Sequence, residues 1–140
     1  MQRSFLFLIF LISFASFGQD QVKWDFNVQD GVFEAKATIA EGWHLYSQHI
    51  ENEIGPMPTS FSFEENSKVE LLGSVQEPEP LKEYDANFEG ELNFFKDEVK
   101  FQQGLKYEVG AELNGSVTYM VCNATMCLPP TDKNFTIKLN

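Results

Sequence analysis

Beyond Cys122 and Cys127 the sequence holds no cysteine. A multi-bridge disulfide framework is therefore excluded. The close pair is left with three uses: a small structural clip, half of a metal site, or a redox-active dithiol. Basic residues are also scarce, with 10 Lys and Arg against 21 Asp and Glu and a net charge of −11. So acidic a surface argues against nucleic acid and against anionic lipid as partners. It also raises thiol pKa values, so nothing around the pair marks a pre-activated thiolate. There is no Ser-His-Asp order, no phosphate loop and no pair of catalytic carboxylates. No stretch holds a helical period for long, and no internal repeat, linker or low-complexity tract interrupts the chain.

Apolar runs are absent except at the N-terminus, where Phe5 to Phe14 follow Arg3 and precede Ala15-Ser16-Phe17-Gly18. The run is well short of the roughly 20 residues that span a bilayer, and polar Gln19, Asp20 and Gln21 come directly after it. A short basic region, an apolar core and a small-x-small end describe a secretory signal peptide. Residues 1–18 are expected to be removed and residues 19–140 to form one domain, with no membrane insertion of the mature chain. No cysteine follows the run, which argues against a lipoprotein. Export places the thiols where a disulfide can persist.

What is present is alternation. Val22, Trp24, Phe26 and Val28 alternate with polar residues, and so do Phe33, Ala35, Ala37 and Ile39 beyond Asp30-Gly31. That pattern is a β-hairpin with a favoured two-residue turn. Further strands are expected over residues 43–47, 59–63, 69–75, 92–95 and 99–102. Leu105 to Leu113 reads as one strand, with Asn114-Gly115 turning the chain into Val117, Tyr119 and Val121. Phe135, Ile137 and Leu139 make the last. The Pro-containing stretch from Gln76 to Pro80 tolerates no regular structure, and Glu77, Glu79, Glu83 and Asp85 read as a solvated acidic loop. About eight or nine short strands, with turns about every 8–12 residues, predict an all-β, immunoglobulin-like antiparallel β-sandwich.

Strand phase then bears on the cysteines. Val117, Tyr119 and Val121 share one face and Thr118, Met120 and Cys122 the other. With the first set in the core, Cys122 is expected on the outer face or at the strand end, near solvent. Cys127 returns beside it across a tight turn, and Pro129-Pro130 ends the pairing. A bridge closing a loop of about six residues stabilises by roughly 2 kcal/mol, against nearly 5 for a loop of about 100. The pair is a poor staple, and all three uses stay open on this ground alone.

The motif from Val117 to Asp132, with Tyr119-Met-Val-Cys122 and Cys127-Leu-Pro-Pro130, resembles the active-site strand pair of the DsbD N-terminal periplasmic domain family. That family carries Tyr-x-x-Cys, four or five residues, then Cys-x-Pro-Pro. Gly42-Trp43-His44-Leu45-Tyr46-Ser47 resembles its Gly-aromatic-x-Leu-Tyr segment. Asp85-Ala86-Asn87-Phe88-Glu89-Gly90 resembles its cap loop, in which a Phe is followed two residues later by Gly. The resemblance implies an immunoglobulin-like fold and thiol–disulfide exchange in the periplasm, with no cofactor. Cys127 would be the attacking thiol, Cys122 the resolving partner and Phe88 the cap. Tyr46, His44 and Asn87 would line the site. Oxidised periplasmic proteins of thioredoxin fold would be the acceptors. The donor would be a thioredoxin-like or membrane protein, on a separate chain or a missing domain. Two departures stand out: Ala86 and Asn87 replace acidic residues common before the cap Phe, and His44 replaces an aromatic.

Two other classes fit the residues. One is a secreted immunoglobulin-like binding module with a structural turn disulfide. The other is a copper carrier using His44, His49, Met57, Met120 and Met126, since Cu(I) favours soft sulfur ligands. Those spacings match no ligand pattern.

Overall fold

The computed structural model describes residues 21–140 except 52 and 54; the expected signal segment lies outside them. Strand β1 (Val22–Gln29) runs into β2 (Val32–Ile39) through Asp30 and Gly31, both at positive φ (52° and 74°). Two such residues in a row make a type I′ turn, whose twist matches that of the strands it joins. Register follows directly, with Gln29 opposite Val32 and Val22 opposite Ile39.

The chain continues through β3 (His44–Tyr46), β4 (Ser60–Phe63), β5 (Val69–Gln76), β6 (Leu81–Asp85) and β7 (Gly90–Phe95). Then come β8 (Glu98–Tyr107), β9 (Glu112–Tyr119), β10 (Val121–Cys122) and β11 (Thr131–Lys138). All pairings are antiparallel, in sheets of order β1-β2-β8-β5, β11-β9-β4 and β10-β3-β7-β6. The first sheet forms one layer. The other two share the opposite layer, joined where the chain passes from β9 to β10 at Met120. The result is an immunoglobulin-like β-sandwich.

Aromatic rings fill the space between the layers. Phe33 on β2 lies 4.8 Å from Phe135 on β11 and 5.4 Å from Phe63 on β4, and Trp24 stands 5.4 Å from Tyr119. Phe101 meets Phe95 of the third sheet at 5.9 Å. Edge-on and offset arrangements of this kind add about 0.5–1.5 kcal/mol per pair beyond the buried area.

Four expectations change. Eleven strands form among the described residues. The expected strands at 99–102 and from Leu105 are one strand, β8 (Glu98–Tyr107), because Gly104 stays in register opposite Val32 and Leu72. The chain turns at Glu108–Gly110 instead, where Gly110 has φ 90° and Val109 is 82 % exposed. Asn114-Gly115 is no turn. Gly115 sits inside β9 between Phe63 and Phe135, where a Cβ would strike the Ser62 carbonyl and the Phe135 ring. Here glycine answers a close approach of neighbouring strands, not a bend. Finally, Leu81–Asp85 is a strand paired with β7, not part of a solvated loop. The preceding prolines stop β5 but leave the amides of 81–85 free to pair.

Candidate active site

The sheet β10-β3-β7-β6 is apolar on both faces, and this places the site. Leu45, Phe95 and Val121 point into the main core. Their chain neighbours Tyr46, Phe94 and Cys122 point the other way, into a second cluster with Leu92. Phe88, Cys127, Met120 and Ile50 pack over that cluster. The expected phase of Cys122 therefore holds, but its expected exposure does not: it is 0 % exposed. The outer face of a strand is solvated only if nothing covers it, and here the β6–β7 hairpin loop does.

Cys122 and Cys127 form a disulfide with Cα atoms 4.0 Å apart and face each other as an antiparallel bridge. The intervening turn is shaped by Asn123, whose Oδ1 accepts the backbone N–H of Thr125 (2.9 Å) and of Met126 (2.8 Å). This is a local Asx-type turn. Its backbone is closed by Asn123 N–H to the Met126 carbonyl and by Leu128 N–H to the Val121 carbonyl. Cys127 is half-buried while Cys122 is enclosed, so only one of the two residues reaches the rim.

Residues 86–89 connect β6 to β7, with Asp85 paired to Gly90 across the base. Glu89 closes the loop at φ 54°. Phe88 stands edge-on to the Tyr46 ring at 6.0 Å and 88°. Tyr46, 0 % exposed, is the floor under it. Asn87 ties the loop to the cysteine turn, donating from Nδ2 to the Asn123 carbonyl at 2.9 Å.

Asp85 organises the polar side of the site. It is 3 % exposed, and both of its oxygens are occupied. Oδ1 accepts the Asn87 N–H at 2.8 Å. Oδ2 accepts the Tyr46 hydroxyl at 2.5 Å and the His44 Nε2–H at 2.9 Å. A carboxylate offers no proton, so Nε2 must carry one. Burial alone would raise the Asp85 pKa; the bonds from Tyr46, His44 and the Asn87 amide outweigh it and hold the carboxyl below its usual range. Burial, reinforced by the bond to Asp85, pushes the Tyr46 hydroxyl far above the usual phenol value. A cleft of about 390 Å³ opens alongside, lined in part by Trp43, His44, Asp85, Asn87 and Asn123.

Asp85 was hidden among the acidic residues expected in a solvated loop. The signal that reveals it is positional: His44 and Tyr46 share one strand face, and Asp85 ends a strand just before an Asn-containing turn. Glu77 was misplaced for the same reason. Its side chain is 6 % exposed and Oε1 accepts the Ser47 hydroxyl (3.0 Å) and the Gln48 N–H (2.9 Å). The residues considered for copper are scattered. His44 is engaged with Asp85, His49, Met57 and Met126 are exposed, and Met120 packs on the second cluster. Among the described residues no three of His, Cys, Asp and Glu are placed to hold a metal.

The Asp85 shift has a testable consequence. A carboxyl whose folded-state pKa is depressed contributes stability above the ordinary value of about 4, and that contribution is lost as pH falls through the depressed value. Asp85→Asn is therefore expected to be less stable than the native chain near neutrality and to lose less on acidification. Urea midpoints at about pH 7 and about pH 3 check it. Parallel acid limbs in the two proteins would contradict the assignment.

Compared with known families, residues 16–139 match the family described as thiol:disulfide interchange protein DsbD, N-terminal. The chain belongs to the DsbD N-terminal domain family. Its fold is similar to the reduced DsbD N-terminal domain of Neisseria meningitidis, with a TM-score of 0.66 at 19 % identity over 86 % of each chain. It is also similar to a structure of the complex between the DsbD N-terminal and PilB N-terminal domains of that organism (TM-score 0.62, 19 % identity, 85 % of this chain and 84 % of that one). The N-terminal periplasmic domain of ScsB from Proteus mirabilis matches at TM-score 0.58 and 18 % identity, over 84 % of this chain and 45 % of that one. A search of curated protein sequences returned no match. A DsbD N-terminal-type domain with its two cysteines joined at a loop-covered sandwich end is a thiol–disulfide interchange domain.

Proposed function

We propose that this domain delivers reducing equivalents to oxidised periplasmic proteins, with Cys127 as the attacking thiol and Cys122 as the resolving one. The observation that carries the order of events is the unequal burial of the pair: Cys122 is enclosed and Cys127 reaches the rim. Exchange requires a thiolate to approach a disulfide sulfur, so access selects the attacker. Reduced Cys127 loses its proton, attacks one sulfur of the acceptor disulfide and expels the other as a thiolate. Cys122, deprotonated in turn, attacks the Cys127 sulfur of the mixed disulfide. The acceptor leaves with two thiols, and the domain keeps the Cys122–Cys127 disulfide. Two electrons and two protons have passed from the domain to its partner.

A thioredoxin-like or membrane donor would reverse this chemistry to recharge the domain. Acceptors of thioredoxin fold suit the reading, and the solved complex of the Neisseria domain with the PilB N-terminal domain supports small protein domains as partners. Phe88 over Tyr46 would shield the pair between encounters, with His44 and Asn87 lining the approach. Periplasmic placement through a signal segment at residues 1–18 belongs to the same proposal. Among the described residues no helix is long and apolar enough to cross a membrane.

Trapping tests it. The Cys122→Ser chain keeps the attacker and lacks the resolver, so it is expected to accumulate disulfide-linked adducts in a periplasmic extract that dithiothreitol releases. No adduct, or equal adducts from Cys127→Ser, would sink the assignment.

A further inference from the structure

We propose that Asp85 is a positioning residue that latches the loop carrying Phe88 shut over the cysteine pair. The inference deepens the proposed function, because it rests on Phe88 being the cover. Asp85 is the last residue of β6 and so stands at the hinge where loop 86–89 leaves the sheet. One carboxylate grips both sides of that hinge. Oδ1 holds the loop backbone through the Asn87 N–H, and Oδ2 holds the floor strand β3 through Tyr46 and His44. Hydrogen bonds to a buried charged acceptor are the stronger kind, and three converge here.

The second hold is at the tip of the loop. Asn87 Nδ2 donates to the carbonyl of Asn123, the residue that follows Cys122. Asn123 in turn shapes the turn leading to Cys127 through its own side chain. Phe88 thus has a polar anchor behind it at Asp85 and one across the site at Asn123, while its ring packs on the Tyr46 that Asp85 also fixes. Swinging Phe88 away with the loop must break the Asn87–Asn123 bond and the Asp85–Asn87 bond. The floor beneath stays in place, because the Tyr46 and His44 bonds to Asp85 lie wholly within paired strands. The latch is built so that the lid opens while the site keeps its shape.

Access to the disulfide reports the latch directly. The probe is a neutral phosphine, tris(3-hydroxypropyl)phosphine, whose attack depends neither on a thiolate nor on charge steering. If reduction proceeds through the open lid, its rate follows the open fraction. A lost neutral hydrogen bond should raise that rate about fivefold in Asn87→Ala, and Asp85→Asn, in which the Asn87 N–H meets a neutral acceptor in place of a charged one, should raise it by a similar factor. Phe88→Ala should be fastest, and adding Asp85→Asn to it should change nothing further, because Asp85 acts through the lid. A native rate in both Asn87→Ala and Asp85→Asn overturns the proposal. So does an Asp85→Asn increment that persists in the Phe88→Ala background, since Asp85 would then act on the disulfide itself. Should Asp85→Asn fold poorly, Asn87→Ala carries the test, since it removes one bond at a loop tip. No protein partner enters the assay, so its outcome is separable from that of the trapping experiment.

Discussion

Cys127→Ser is expected to reduce no oxidised acceptor above the uncatalysed background, although Cys122 remains. The reason is access. Cys122 is closed in by Tyr46, Leu92 and Phe94 and contributes nothing to the surface. A thiolate in that position cannot align with the two sulfurs of a partner disulfide. Cys122→Ser should behave differently. It should complete the first step in a single turnover, forming one mixed disulfide per chain, and then stop. Stopped-flow thiol release with an oxidised thioredoxin-fold acceptor separates the two, because only Cys122→Ser should show a burst. A burst of equal size from Cys127→Ser would contradict the assigned roles.

Gly115→Ala is expected to cost about 3 kcal/mol, at the upper end for overpacking a well-filled interior. For a domain of this size that lowers Tm by roughly 10 °C. The new methyl group would meet the carbonyl oxygen of Ser62 and the ring of Phe135. Neither can yield easily. Ser62 is held in β4 by its pairing with β9, and the Phe135 ring is wedged among Phe26, Phe33 and Phe63. Calorimetry on the purified domain measures the shift. A Tm within about 2 °C of the native value would show that the β4–β9–β11 sheet opens more readily than its packing suggests. The cysteine pair lies in another sheet, so surviving chains should still exchange.

Both expectations rest on features read differently from sequence and from structure. Asn-Gly between alternating stretches is a strong hairpin signal, yet Gly115 lies in a continuous strand and the turn falls at Glu108–Gly110. Alternation of Leu105, Tyr107, Val109, Ala111 and Leu113 runs straight through that turn. A local pattern has the same period on either side of a reversal and carries no mark of it. What distinguishes the two sites is whether a neighbouring strand needs the space of a side chain, and that depends on residues 62 and 135, far off in sequence.

The sequence by itself determined the two-residue turn at Asp30-Gly31, the alternation of Phe33, Ala35 and Ala37, the sandwich class and the juxtaposition of Cys122 with Cys127. All of these follow from interactions among residues a few positions apart or from the requirement that each strand bury one face. Tertiary structure alone decided that Cys122 is enclosed, that Asp85 is buried and bonded to His44 and Tyr46, and that Asn87 reaches across to Asn123. These facts arise because β3, the β6–β7 hairpin and the cysteine turn meet at one end of the sandwich. Burial and hydrogen bonding there are properties of several distant segments at once. No local period or composition encodes which face of a strand a loop will come to cover.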